Sequence, residues 1–245
     1  MSATTGAEAG TGAKANVTTE GTSALADRMA DAASAVLASL DGEGRALAAP
    51  PWSPESDPES EEERRRWFYT PTDHGGLTVG TMTPRQYQRT MALLSTGLSE
   101  AGYTTVATIM GLENVLDRVE GFAGFSFNRE RGRDPGMYYL RIFGTPGDPM
   151  WGWRFGGHHV SLNNLVVSGA LASCTPCFLG SDPARAPLLG SRELRPLGGV
   201  EDLGRELLHS LDPSLRARAV LTPRAPVDIA GANRTRVGPG DRVLH

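Results

Sequence analysis

Apolar positions along the chain follow two rhythms, and the change between them divides it. Leu25, Met29, Ala33, Val36, Leu37 and Leu40 recur at spacings of three and four, which predicts an amphipathic helix with Ser23 as its N-cap and Gly42 as its stop. The proline-rich segment APPWSPESDPES then breaks the pattern, and the run EEERRR at 61–66 reads as a solvated helix end. Thr83-Pro84-Arg85-Gln86 carries the marks of a helix start: a threonine N-cap, proline at the first position and a glutamine completing a capping box. Tyr87, Met91, Leu94 and Leu98 continue that helix. A second one from about Thr104 to Val119 is expected to bury Ile109, Leu112, Leu116 and Val119, and the short break at Ala101-Gly102 makes the two a helical hairpin.

Beyond Gly121 the period shortens. Met137–Phe143 is rich in aromatic and branched residues and reads as a strand, followed by a turn at GTPGDP. Trp151–Phe155 and His158–Val167 read as two further strands, or as one long strand bent at Gly156-Gly157. Connections this short exclude parallel crossovers, so the sheet is expected to be antiparallel. Leu203, Leu207, Leu208 and Leu211 form a last helical stripe, a short helical piece reaches towards Val220, and the chain then reads as extended. The expected architecture is α+β: N-terminal helices on a small antiparallel sheet, with a further C-terminal helix. Residues 1–21 lack aromatics and are expected to be disordered, 22–222 to form one domain, and 223–245 to be a tail.

Composition changes this picture little. The net charge is −4, and the 24 basic residues are arginines except for Lys14, spread along the chain as coding bias would spread them. A mildly acidic chain argues against a nucleic-acid partner. No stretch approaches the roughly 18 apolar residues of a membrane helix, and the N-terminus lacks the basic start and apolar run of a secretory signal. A cytoplasmic protein with no membrane partner is therefore expected. Two cysteines exclude a disulfide framework and an all-cysteine structural zinc site.

Functional side chains concentrate in WGWRFGGHHVSLNN, residues 151–164. On a regular strand His159, Ser161 and Asn163 share one face and His158 the other, so both imidazoles enter one pocket only if the glycine pair makes a bulge. Three readings stay open. The polar residues form a satisfied ladder that sets register; or His158 and His159 bind a transition metal ion, with Asp134, Glu113 or His74 completing the set; or His159 activates Ser161 as a nucleophile. Residues two apart on a strand lie roughly 6.5 Å apart, and there is no G-x-S-x-G elbow, so the last is the weakest. Arg154 between aromatics suits a carboxylate or phosphate, or a stacked surface position. Arg133-Asp134-Pro135 reads as a turn capped by Asp134, or as an arginine or carboxylate aimed at a polar substrate. Glu113 is placed to point inward from its helix. Cys174-Thr175-Pro176-Cys177 has redox spacing, but no helix follows it, so two loop thiols are the better reading. The glycines of GLTVGTMTP are not spaced as a phosphate cradle.

The runs RDPGMYYLRIFGTP, WGWRFGGHHVSLN and PCFLGSDPAR resemble a bacterial family known as domain of unknown function 3500, from about Trp67 to Arg236. The resemblance implies an α+β architecture and no particular reaction. It also implies that members continue further, so this chain is expected to lack the family's C-terminal part with its later histidines. Cys174 and Cys177 depart from the family pattern. The leading expectation is a metal-binding domain, with an enzymatic role open, in which His158 and His159 ligate and Arg154, Ser161, Asn163, Asp134 and Glu113 contact a small-molecule ligand. The alternative is a non-catalytic binding or scaffold protein whose polar strand is structural.

Overall fold

The computed structural model describes residues 19–122, 124, 130–190, 192–225, 227–229 and 231–236. Three helices lead: α1 (Thr19–Leu37), α2 (Gly42–Ala48) and α3 (Pro58–Arg65). The helix α1 starts before Ser23, so that serine lies inside it and not at its cap. Most of the segment expected to be disordered, residues 1–18, lies outside the described residues. Asp57 caps α3, accepting from the amides of Glu59 and Ser60. After β1 (Leu77–Thr78) comes the hairpin of α4 (Pro84–Thr96) and α5 (Glu100–Val119). The capping box forms as its sequence dictates: Thr83 Oγ1 accepts from the Gln86 amide, and the Gln86 side chain accepts from the Thr83 amide.

The strands β2 (Tyr139–Phe143), β3 (Met150–Gly157), β4 (Val160–Val167), β5 (Ala170–Ser173) and β6 (Cys177–Leu179) complete an antiparallel sheet in the order β1-β2-β3-β4-β5, with β6 also paired to β4. A separate two-stranded ribbon, β7 (Ala186–Leu189) with β8 (Arg192–Leu194), leads to α6 (Gly198–Ser210) and α7 (Pro213–Ala219). The fold is thus α+β. Among the described residues no helix is long and apolar enough to cross a membrane.

Register and alternation give the sheet two unlike faces. One presents Leu140, Ile142, Trp151, Trp153, Phe155, Val160, Leu162 and Val166 to Met29, Ala33 and Val36 of α1 and to Leu93 and Leu94 of α4. All are buried, and burial of each aliphatic side chain contributes about 1.5–3 kcal/mol. The other face carries Tyr139, Arg141, Phe143, Arg154, Ser161 and Asn163. It is covered by the segment 52–76, which includes α3, Trp67 and His74.

That second face holds a charged network in place of an apolar core. Arg154 is 3% exposed and donates to the carbonyls of Glu63 and Arg66 from Nη1, and to Glu63 Oε1 and the His74 carbonyl from Nη2. Burial pulls its pKa down, and Glu63 opposes that pull. Burial alone would raise the Glu63 carboxyl, but bonds from Arg66 and Arg154 outweigh it and hold the group below the usual carboxylate value. The EEERRR run is therefore not a solvated helix end: Glu63 ties α3 to the middle of the sheet. Neither its spacing nor its composition carries that information, because the partner is 91 positions away.

The C-terminal helices depart from the pattern too. Val200, Leu203 and Leu207 of α6 are 71%, 67% and 66% exposed, so the stripe that predicts the helix does not enter the core. Described residues beyond α7 are bonded to Trp67 and Tyr69. The Tyr69 hydroxyl donates to Asp228, the Trp67 indole donates to the Arg234 carbonyl and Asn233 donates to the Trp67 carbonyl. Residues 237–245 lie outside the described ones.

Candidate functional site

The strands β3 and β4 form one hairpin in which Gly157 faces Val160, so His158-His159 is its two-residue turn. The bend therefore falls one dipeptide later than the glycine pair suggested, and His159 is not a strand residue sharing a face with Ser161 and Asn163. His159 sits at φ +62°, a left-handed conformation that histidine adopts more readily than most residues. Two backbone bonds lock it there: its amide donates to the Tyr69 carbonyl, and its own carbonyl accepts from the Gly180 amide. The glycines serve close approach, one on each face. A Cβ on Gly156 would lie 2.9 Å from the His74 ring, and one on Gly157 would lie 2.5 Å from the Tyr138 ring. Tyr138, buried and with its pKa well raised by burial, donates to the His158 carbonyl.

This turn brings the two imidazoles together, which strand alternation forbids. Their ring centres are 3.9 Å apart and their planes differ by 32°. His158 Nδ1 lies 2.5 Å from Glu113 Oε1, and both side chains are almost fully buried. Glu113 arrives from the inner stripe of α5, one turn after Ile109 and one turn before Asp117, each buried. The expected inward carboxylate is thus present. The loop that follows is fastened back onto the same helix. Arg131 donates to Asp117 and Asn114, and Arg133 donates twice to Glu120. Those bonds raise the Arg133 pKa, and its charge also acts on Glu113 and Asp182. His159 is held neutral, its pKa lowered to about 4 by burial first and then by the charges of His158 and Arg133.

The other expected site residues lie elsewhere. Arg154 makes four bonds inside the network under the sheet, through Nη1 and Nη2. Ser161 and Asn163 form the polar ladder: Asn163 Nδ2 donates to Ser161 Oγ and to the Pro176 carbonyl, each at 3.4 Å. Neither touches His158 or His159 through a hydrogen bond. Asp134 caps its own turn through the Gly136 amide. His74 stacks on Tyr139, and its Nε2 lies 3.0 Å from the Thr70 carbonyl. Cys174 and Cys177 are free and exposed. The cluster that does form is Glu113, His158, His159 and Arg133. Arg133 stands in the sequence as an arginine that could face a polar substrate, but its electrostatic effect on His159 arises only through the fold.

Two features bear on what this cluster can do. An imidazole holds a metal in its own plane about 2 Å from the nitrogen, and the two ring planes here differ by 32°, so an ion shared by both would have to lie where those planes meet. Among the described residues no group of three or more His, Cys, Asp or Glu side chains is arranged to hold a metal ion. A carboxylate on Nδ1, by contrast, fixes the ring and leaves Nε2 as the nitrogen that can exchange a proton.

No curated protein and no solved structure matches the chain. A family model matches residues 22–242, so the likeness carried by the central motifs extends over the N-terminal helices as well. The chain belongs to the family described as protein of unknown function (DUF3500).

Proposed function

We propose that His158 is a general base and acid acting through Nε2, with Glu113 orienting its ring and Arg133 drawing an anionic or strongly polar substrate to the turn. The observation that carries this reading is the 2.5 Å contact between the buried Glu113 carboxylate and His158 Nδ1. A carboxylate in that position sets the tautomer and stabilises the imidazolium that forms when Nε2 takes a proton. His159, neutral near pH 7, covers one face of the His158 ring without adding a second charge. Ser161 makes no bond to either histidine, so the proton comes from water or from the substrate, and the reaction class is hydrolysis or proton abstraction.

The test is a hydrolase and isomerase substrate panel on tag-free protein, run with His158→Gln and Glu113→Gln and accompanied by metal analysis. A turnover lost in His158→Gln and reduced about 10²–10⁴-fold in Glu113→Gln, with melting temperatures unchanged, supports the base. Equal turnover in both variants would sink it. Stoichiometric metal that disappears in His158→Gln would replace it with the metal-ligand role for His158 and His159 expected from sequence.

A further inference from the structure

Of α6 only Gly198, its first residue, is buried. Val200, Leu203 and Leu207 stand exposed, and at about 3.6 residues per turn they fall within roughly 60° around the helix, with Gly204 beside them. Leu215, Val220 and Leu221 are exposed as well, so six large apolar side chains lie open within residues 200–221. The helix is held by polar ties at its ends and not by this stripe. Arg195 donates to Gly198, Glu201 and Asp202, and Arg216 donates to the carbonyls of Leu208, His209 and Leu211. Single surface leucines are ordinary, whereas a stripe of them at helical spacing marks a contact face.

Neither chain end outside the described residues spells a matching stripe. Residues 1–18 hold Met1 and Val17, and residues 237–245 hold Val237, Val243 and Leu244 with Gly238, Pro239 and Gly240 among them. A second copy of α6 does match. The six side chains offer roughly 300 Å² of apolar surface per chain. Each partner in a standard interface gives about 800 Å², of which roughly 450 Å² is apolar, so the stripe makes a small, reversible contact. Gly204 has nothing within 4 Å of where its Cβ would stand, so a second helix can cross there closely. The charges select the direction. In α6, Glu201, Asp202 and Glu206 stand against Arg205, whereas α7 carries Arg216 and Arg218 and no acid. Even with Arg195 bonded to Glu201 and Asp202, α6 stays the more acidic end. An antiparallel pair sets the acidic start of each unit towards the basic end of the other, and a parallel pair sets like ends together.

We infer that α6 docks antiparallel on α6 of a second copy of this chain, forming a reversible twofold dimer closed over Val200, Leu203 and Leu207. Such a pairing is isologous, so Val200 of each chain lies over Leu207 of its partner and the axis passes near Leu203 and Gly204. No residue of this face belongs to the His158 cluster, so the dimer and the proton-transfer reading stand separately.

Sedimentation velocity of the tag-free full chain from about 1 to 300 μM tests it. Wild type is expected to pass from monomer to dimer across that range. Leu203→Glu and Leu207→Glu each place a charge in the contact and are expected to weaken the dimer about a hundredfold or more. Both leucines are exposed in the single chain, so the melting temperature and circular dichroism of the dilute variants are expected to match wild type. Gly204→Leu favours the helix yet fills the crossing point, so it is expected to weaken the dimer without lowering the melting temperature. For direction, Val200→Cys and Leu207→Cys chains, each also carrying Cys174→Ser and Cys177→Ser, are mixed and treated with a short bismaleimide. Cross-links between unlike chains are expected to dominate. Monomer at every concentration, a dimer that both folded glutamate variants leave intact, or cross-links between like chains only would each overturn the assignment.

Discussion

Replacing His159 by asparagine isolates the energy stored in its neutral, buried ring. In the folded chain this imidazole takes up a proton only near pH 4, whereas in the unfolded chain it does so near 6.5. Above about 6.5 neither state binds the proton and His159 has no effect on the pH dependence. As pH falls from 6.5 towards 4 only the unfolded state gains it, so stability is lost across that window, and below 4 the loss stops growing. The drop from 6.5 to about 4 corresponds to about 3 kcal/mol in full, of which roughly 2–3 kcal/mol is lost by about pH 4.5. Asparagine accepts the left-handed backbone of this turn and cannot titrate, so the Tyr69 and Gly180 bonds to the backbone are kept. Urea unfolding of both proteins at about pH 7 and about pH 4.5 gives four stabilities, and carboxylate effects common to the two chains cancel in their difference. Wild type is expected to lose roughly 2–3 kcal/mol more than His159→Asn on acidification. Equal losses would show that the ring is not held neutral at the turn.

Three other perturbations probe the frame that positions the turn. Arg154→Met removes the bonds to the Glu63 and Arg66 carbonyls and leaves Arg66 as the remaining hydrogen-bond donor to the Glu63 carboxylate and the His74 carbonyl, and is expected to cost about 1–3 kcal/mol in chemical denaturation. Gly157→Ala drives a methyl group into the Tyr138 ring and is expected to cost about 1–3 kcal/mol; the same change at Gly169, where the space is open but φ is positive, separates steric from backbone effects in the melting temperature. Thr83→Ala removes one half of the capping box of α4 and is expected to cost about 1 kcal/mol by urea unfolding, with no change in the titration of the histidines.

Much of the helical layer was legible because its signals are local. A cap, a first-turn proline and a stripe at spacings of three and four all lie within one element, and α4 follows from them; α5 begins at Glu100, so the expected break at Ala101-Gly102 lies inside it, and Val119, expected to be buried, is exposed. The sheet was legible as antiparallel from loop length alone. What failed was the position of one bend. Gly156-Gly157 looks like the punctuation between two strands, yet both glycines lie inside β3 because rings from other parts of the chain press on each face. The turn instead uses a histidine in the left-handed region. That shift of two residues decided the site: it turned two imidazoles assigned to opposite faces into a stacked pair. The tie between Arg154 and Glu63 was hidden for a different reason. A charged residue flanked by aromatics looks like a ligand contact when its partner, on a remote helix, is invisible in the local pattern.

The two faces of the sheet also assign different jobs to the charged residues of this arginine-rich chain. A buried guanidinium is stable only where carbonyls and a carboxylate surround it, so Arg154 fixes segment 52–76 to the sheet and has no freedom to exchange partners. Arg133 is bonded to a carboxylate near the surface, and its charge still reaches His159 and Glu113. Segment 52–76 in turn carries Tyr69, whose carbonyl receives the His159 amide, so the histidine turn is anchored to the element that Arg154 holds down. Weakening Arg154 should therefore loosen the imidazole pair from a distance, and a sequence motif that runs W-R-x-x-G-H-H encodes one mechanical unit: the arginine secures the platform, the glycines admit the rings, and the histidines are presented at its end.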